Sequence, residues 1–401
     1  MPTNYYMPTR IIAGANALDE IGRVARGLGI TRALVVSDPV ISAQGFHARA
    51  LARLTEDRVE VARFDECGID ARCSHIDDQG ERVRREGVDG VVCIGGGSVM
   101  CTGKGIAIVA TNPKPMRECT GVGNFDRKAL PMIMVPTTAG SGSEVSQWTI
   151  VKDEERHLKL LGGGPLSFPD AAILDPATLD TLPMAAAAPP AVDALTHGLE
   201  AYLSALASPL TDAIALEAVR LQAGSMRASI TSNDGQARSD NLIASTMANI
   251  ACGNARLGHA HALSLPLEGH LDLVHTTGVG VLMPHVLAFN MTVDAVKARR
   301  LAEALGVDVE GLSRGEIIEA AVAELYDLYD DIGFRPRFTA EELPHDRIRE
   351  MAERAVPGLY AGFSGATNAP ENVSDRTLIA APALRKMTVR QAQDIFEACV
   401  A

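Results

Sequence analysis

The chain has few aromatic residues: one Trp, six Tyr and nine Phe among 401 positions. Its seven cysteines are an odd number, and none pair in CxxC spacing. That argues against a disulfide framework or a cysteine-held structural zinc and leaves reduced, partly buried thiols. No run approaches the roughly 20 uninterrupted apolar residues that a transmembrane helix needs. The opening MPTNYYMPTRIIAGANALDEIG lacks a basic segment followed by an apolar one. A secretory leader is therefore not expected, and the expected address is the cytoplasm. Positive charge is in deficit: Lys plus Arg is 37 and Asp plus Glu is 50, so the net charge is 37 − 50 = −13. Such a chain is a poor binder of nucleic acid phosphates. Internal repeats and low-complexity linkers are missing as well.

What is present is an ordinary soluble composition, 47% hydrophobic and 22% charged, with 36 glycines. The length suits two or three domains. In the first half, short apolar runs alternate with helical patterns. Ala33–Asp38, Val59–Glu66, Gly90–Ser98 and Pro131–Thr138 read as strands, and SHIDDQGERVRREG reads as an amphipathic helix. A helix is expected from about Met100. Strands alternating with helices predict a mostly parallel sheet covered on both faces, with ligands beyond the carboxyl ends of its strands. After AILDPATLDTLP the strand signals nearly vanish and helical patterns take over. The expectation is an α/β domain over residues 1–182 and a helical domain over residues 183–401, with Pro189 and Pro190 opening the first helix of the second.

Six of the ten histidines fall between His197 and His285. Asp193 and His197 are four residues apart, about 400° on a helix, so they share a face and can reach one metal ion. The same spacing also serves as a plain helix-stabilising contact. His259 and His261 are about 200° apart, so at most one of them faces a site on that helix. His275 lies beyond a break marked by Pro266 and Gly269. One Asp with up to three neutral imidazoles suits zinc, iron or nickel.

Two glycine- and hydroxyl-rich loops follow strands. GGGS, at 95–98, precedes a helix and can lay backbone N–H groups against a pyrophosphate, although a tight structural turn has the same composition. PTTAGSGSEVS spans Pro136 to Ser146. Asp38, at a strand end, can accept bonds from ribose hydroxyls or cap the next helix.

The order GGGSxxxxxK, PTTAGSGSEVS, DPATLDTLP, VDALTHGLEAY, GHAHALSLPLEGHLDLVHTTG, VLMPHVLAFN resembles the iron-containing (group III) alcohol dehydrogenases. The likeness runs from the opening segment to about Gly333. It implies an α/β dinucleotide-binding domain and an all-α metal domain, the dehydroquinate synthase-like fold. It also implies a metal-dependent oxidoreductase that interconverts an alcohol and an aldehyde or ketone by hydride transfer.

The resemblance assigns the metal ligands to Asp193, His197, His261 and His275, with Fe2+ or Zn2+ as the ion. It places the adenosine ribose on Asp38, which favours NAD over NADP, and the pyrophosphate on Gly96, Gly97 and Ser98. Thr137, Thr138 and Ser141 surround the adenine and ribose, and Lys159 reaches the ribose. Small-molecule alcohols or carbonyls are the implied partners and a homodimer the implied assembly. His259 and His285 are not expected to be ligands.

Several positions depart from the family pattern. Leu265 replaces a histidine one turn beyond His261, which leaves the proton route to water or to His270. Cys101 replaces an Asp, while Lys104 is kept. GIDARCS, Gly68 to Ser74, replaces a PNPT-like segment. Cys252 stands where some members carry a bulkier pocket wall. Arg256 reads as a surface residue or as a contact to an acidic substrate. Two other readings keep the fold: a non-redox lyase of dehydroquinate synthase type, and a catalytically altered binding relative.

Overall fold

The computed structural model describes residues 4–156, 158–232, 234–356 and 381–401. Among these, residues 7–182 form one compact unit, and residues 4–6, 183–356 and 381–401 form another.

The first unit contains nine strands: β1 (Arg10–Ala13), β2 (Arg32–Val36), β3 (Glu60–Phe64), β4 (Gly90–Gly95), β5 (Gly121–Val122), β6 (Met132–Pro136), β7 (Trp148–Asp153), β8 (Leu158–Gly163) and β9 (Ala171–Leu174). Its helices are α1 (Ile21–Gly27), α2 (Pro39–Ser42), α3 (Gly45–Glu56), α4 (Cys73–Glu86), α5 (Gly97–Thr111) and α6 (Met116–Cys119). Six strands pair in the order β1-β9-β6-β4-β2-β3, every pair parallel.

Side chains alternate faces along a strand, so each strand feeds two cores. Leu34, Val91, Cys93, Met132 and Met134 join Ile76 and Ile106 of α4 and α5. Ala33, Val35, Val92, Ile94, Ile133 and Val135 join Ile21 of α1 and Leu54 of α3. Helix cover on both faces accounts for the unbroken apolar runs in these strands.

A smaller sheet, β5-β8-β7, was not anticipated. Its strands WTIVKD and LKLLGG form an antiparallel hairpin that leaves Ile150 and Leu158 exposed, so neither strand shows a long apolar run.

The second unit is helical: α7 (Met184–Tyr202), α8 (Pro209–Thr231), α9 (Gly235–Ala255), α10 (His259–Leu271), α11 (His275–Asn290), α12 (Ala295–Ala304), α13 (Arg314–Asp331), α14 (Ile348–Arg354) and α15 (Val389–Cys399). α7 packs on α8, α9 and α11.

Three boundaries differ from the sequence reading. α5 begins at Gly97 rather than Met100, because Gly96, at φ −81° and ψ −170°, is already its N-cap. α7 begins at Met184, and Pro189 and Pro190 sit inside it. The alanines at 185–188 are strong helix formers and extend the helix upstream of the prolines. α10 runs through Pro266 and Gly269, and the break falls at Asp272, whose left-handed φ of 53° ends the helix before His275 opens the next.

Candidate functional site

α7 is buried along the face that carries Asp193, His197 and Glu200. These positions follow one another at four and three residues, which keeps them in one line on a helix. Asp193 Oδ1 is the focus of the cluster. His261 Nε2 lies 3.5 Å from it, His197 Nε2 3.7 Å and His275 Nε2 3.8 Å. Ligand atoms about 2.1 Å from one tetrahedral ion lie about 3.4 Å apart, so these separations suit a shared ion. Donor atoms of Asp193, His261 and His275 all fall within 4.8 Å of one another. His197 touches Asp193 but lies outside that mutual set, stacked on His261 with ring centroids 4.9 Å apart.

Asp193 Oδ1 and His261 Nε2 are buried without a hydrogen-bond partner. Unpartnered buried polar atoms are costly, and a divalent cation would satisfy both. The residues present therefore fit a metal ion.

The other nitrogens of two of these rings are held by carboxylates. His261 Nδ1 donates to Glu200 Oε2 at 2.7 Å, and His275 Nδ1 donates to Glu268 Oε1 at 2.6 Å. A carboxylate only accepts, so each Nδ1 carries a proton, and the lone pair that Nε2 gains when the ring is neutral is turned towards Asp193. Glu200 also accepts the N–H groups of Gly258 at 2.7 Å and Ala260 at 2.6 Å, which fixes the start of α10.

Electrostatics divide the rings. Burial opposes charge on His261, but Glu200 and Asp193 outweigh it and raise its pKa to about 10. Burial also opposes charge on His275, and Glu268 and Asp193 raise it. His197 gains less from Asp193 than it loses to burial and to the other two imidazoles, and it falls to about 4. Burial works against the Asp193 carboxylate, yet the three histidines hold it below its ordinary range.

Sequence reasoning missed Glu200 and Glu268. A signal existed: each lies seven residues after a candidate ligand, Asp193 or His261. Seven residues bring a helix back to within about 20° of the same face.

The remaining histidines lie elsewhere. His259 is buried against Asn290, 3.1 Å from its Oδ1, and against Phe289. His285 meets the Tyr326 hydroxyl at 3.2 Å. His270 stands nine residues past His261, about half a turn out of phase, and meets the Arg354 guanidinium at 3.2 Å. Arg256 ends α9 at φ 72°, a region that favours glycine, and its guanidinium turns back to Gly253 O. Cys252 is buried, and burial together with Asp193 and Glu200 keeps its thiol neutral.

In the α/β unit, the loop residues gather at the carboxyl ends of three adjacent strands. Asp38 follows β2, Gly96 to Ser98 follow β4, and Thr137 to Ser141 follow β6. Asp38 caps α2, with Oδ1 accepting Val40 N–H and Ile41 N–H at 2.9 Å each. The two glycine-rich loops touch: a Cβ on Gly97 would lie 3.0 Å from Ser141 Oγ, and one on Gly96 would lie 3.6 Å from Thr138. Thr137 N–H donates to Gly95 O. The Ser98 hydroxyl donates to Ile69 O, within the GIDARCS segment. In the same segment, Asp70 pairs with Lys159 and Lys152 at 3.5 Å each.

Lys104 is fully buried and donates to Ser143 Oγ, Ser146 O and Trp148 O at 2.7–2.9 Å, which ties the second loop to α5. Cys101 accepts Ile150 N–H at 3.5 Å.

Comparison with known proteins is consistent along the chain. The family model described as iron-containing alcohol dehydrogenase matches residues 8–176, and that of the Fe-containing alcohol dehydrogenase family C-terminal region matches residues 187–374. A 1,3-propanediol dehydrogenase of Klebsiella pneumoniae is 34% identical over 356 residues, covering 88% of this chain and 92% of that one. An NAD-dependent methanol dehydrogenase of Bacillus methanolicus is 30% identical over 354 residues, covering 88% and 93%. A solved structure of a 1,3-propanediol oxidoreductase superposes with a TM-score of 0.89 at 31% identity, covering 100% of both chains.

Proposed function

Because the chain belongs to the iron-containing alcohol dehydrogenase family, we propose that it interconverts a small alcohol with its aldehyde or ketone, using NAD and a divalent metal ion. The observation that carries this reading is the convergence of three histidine Nε2 atoms on Asp193 Oδ1, two of them on carboxylate-backed rings.

Asp193, His261 and His275 would hold the ion, with His197 as the further ligand. When bound, the ion supplies Lewis-acid polarisation of the substrate oxygen, and the nicotinamide supplies hydride exchange at carbon. The chain itself orients the ligands. Asp193 brings one negative charge to a ligand set of otherwise neutral rings, of which His197 and His261 are buried. Glu200 and Glu268 fix the tautomers that leave Nε2 free to bind.

Leu265, one turn beyond His261, carries no proton, and His270 lies half a turn out of phase with His261 against Arg354, so the hydroxyl proton passes to water rather than to His270. The His275 side chain, 34% exposed, marks the wet side of the cluster.

For the cofactor, the N–H groups at the start of α5 and the close approach permitted by Gly96 and Gly97 suit a pyrophosphate. Both cap bonds of Asp38 fall on Oδ1, so Oδ2 is the oxygen offered to the ribose. Its charge disfavours a 2′-phosphate and hence NADP. Thr137, Thr138, Ser141 and Lys159 complete the proposed contacts, Lys159 after exchanging Asp70 for ribose hydroxyls. The related methanol dehydrogenase is named as NAD-dependent, which supports the same choice.

The test is a screen of alcohols and 2-hydroxy acids with the iron- or zinc-loaded protein, using NAD and NADP in parallel and following the reduced-nicotinamide absorbance. Alcohol-dependent reduction of NAD supports the reading. Tight NAD binding with no reduction by any alcohol contradicts it.

A further inference from the structure

His275 is the most exposed of the converging rings. It is the first residue of α11, follows the exposed Val274 and the left-handed Asp272, and its side chain is 34% exposed. His261, by contrast, is buried within α10 and stacked on His197. The hydrogen bond that fixes the His275 ring comes from another element, Glu268 on α10. That carboxylate is itself positioned: Oε1 receives His275 Nδ1 at 2.6 Å and the Ser264 hydroxyl at 2.9 Å, the hydroxyl sharing its one proton with His261 O at 3.0 Å. Ser264 and Glu268 are one turn apart, and both lie on the His261 side of α10, at three and seven residues beyond it.

We propose that Glu268, steered by Ser264, is a positioning residue that orients His275 as a metal ligand and thereby sets how tightly this chain retains its ion. The inference rests on the metal reading above. A ring free to rotate about its side-chain torsions must be ordered when it binds a metal, and that ordering weakens binding. The Glu268 bond orders the ring beforehand and keeps the proton on Nδ1. Outer carboxylates of this kind typically contribute about 10- to 100-fold in metal affinity.

The test uses the full chain and zinc, with affinity read by competition against a chromophoric chelator, and NAD affinity measured alongside. Glu268→Ala is expected to raise the zinc Kd about 10- to 100-fold. Glu268→Gln keeps an oxygen that accepts from Nδ1 and is expected to recover most of that loss. Ser264→Ala is expected to fall between wild type and Glu268→Ala, and NAD affinity is expected not to change. Ser264→Ala also keeps the proposal testable if Glu268→Ala fails to fold.

A merely structural role for Glu268 would shift the unfolding midpoint of the metal-free protein without separating the Gln and Ala variants in zinc affinity, and that result overturns the proposal. If wild type holds zinc, His261→Ala loses it, and Glu268→Ala and Ser264→Ala both hold it at wild-type affinity, this inference fails while the metal reading stands. If wild type takes up no divalent ion, both fail.

Discussion

Glu200 Oε2 accepts the Nδ1 proton of His261 at 2.7 Å, and the same carboxylate receives the backbone N–H groups of Gly258 and Ala260. One buried side chain on α7 therefore sets both the start of α10 and the orientation of its principal histidine. Glu200→Ala leaves two buried N–H groups and an imidazole without their acceptor. Breaking a buried charged pair costs about 3–5 kcal/mol. Urea unfolding of the metal-free variant should fall by that amount, and a loss under about 1 kcal/mol, the size of one ordinary hydrogen bond, would show that Glu200 carries no such load.

Metal uptake should release protons. With Glu200 and Asp193 beside it, metal-free His261 titrates at about 10 and is protonated at neutral pH, whereas a metal ligand must be neutral. Calorimetry of zinc binding at pH 7 in two buffers of different ionisation enthalpy should show net proton release. No difference between the buffers would contradict this.

The same group sets a pH trend in the metal-free protein. The folded state holds the His261 proton more tightly than the unfolded chain, whose ordinary value is 6.5. Its contribution to stability is thus fully present below 6.5 and is lost as pH rises towards 10. His197, held down to about 4, works in the opposite sense, costing stability as pH falls from 6.5 towards 4. The His261→Ala protein should lose less stability than wild type between pH 7 and 10.

Asp38→Ser should relax cofactor choice. Serine keeps a cap for α2, where Asp38 now accepts two N–H groups, but removes the charge proposed to repel a 2′-phosphate. The ratio of kcat/KM with NADP to that with NAD should rise by about tenfold or more, equivalent to about 1.4 kcal/mol. An unchanged ratio would remove Asp38 from the proposed ribose site.

Gly97→Ala should weaken NAD binding without lowering stability. Alanine is the better helix former, but its Cβ would press on Ser141 Oγ at 3.0 Å and on Ser141 Cβ at 3.1 Å. The proposed cofactor loops would have to part by a few tenths of an ångström. A Kd for NAD raised about tenfold, or ~1.4 kcal/mol, with an unchanged melting temperature, is the expected pair of results. Unchanged NAD affinity would separate Gly97 from the cofactor.

Much of the architecture was legible because one force dominates it. Strands such as Gly90–Gly95 are buried on both faces and read as unbroken apolar runs, and helices such as Cys73–Glu86 show an apolar stripe. The β7–β8 hairpin was hidden because its strands are half exposed. At the candidate site, the four-residue spacing of Asp193 and His197 identified a helix face, and the offset of His259 from His261 showed that at most one of them faces the site; the family resemblance assigned that place to His261, the ring that lies against Asp193. Spacing along one helix does not report a bond to another. Nothing in the sequence alone joined Glu268 to His275, or Asp70 to Lys159, because those pairs form across turns and sheet registers.

In the proposed reading, His261 holds a metal on which turnover depends. Its most direct test is His261→Ala, purified beside wild type and analysed for bound iron and zinc and for alcohol-dependent NADH formation. Metal content and turnover are expected to fall together while NAD affinity is kept. Full turnover with unchanged metal content would contradict it.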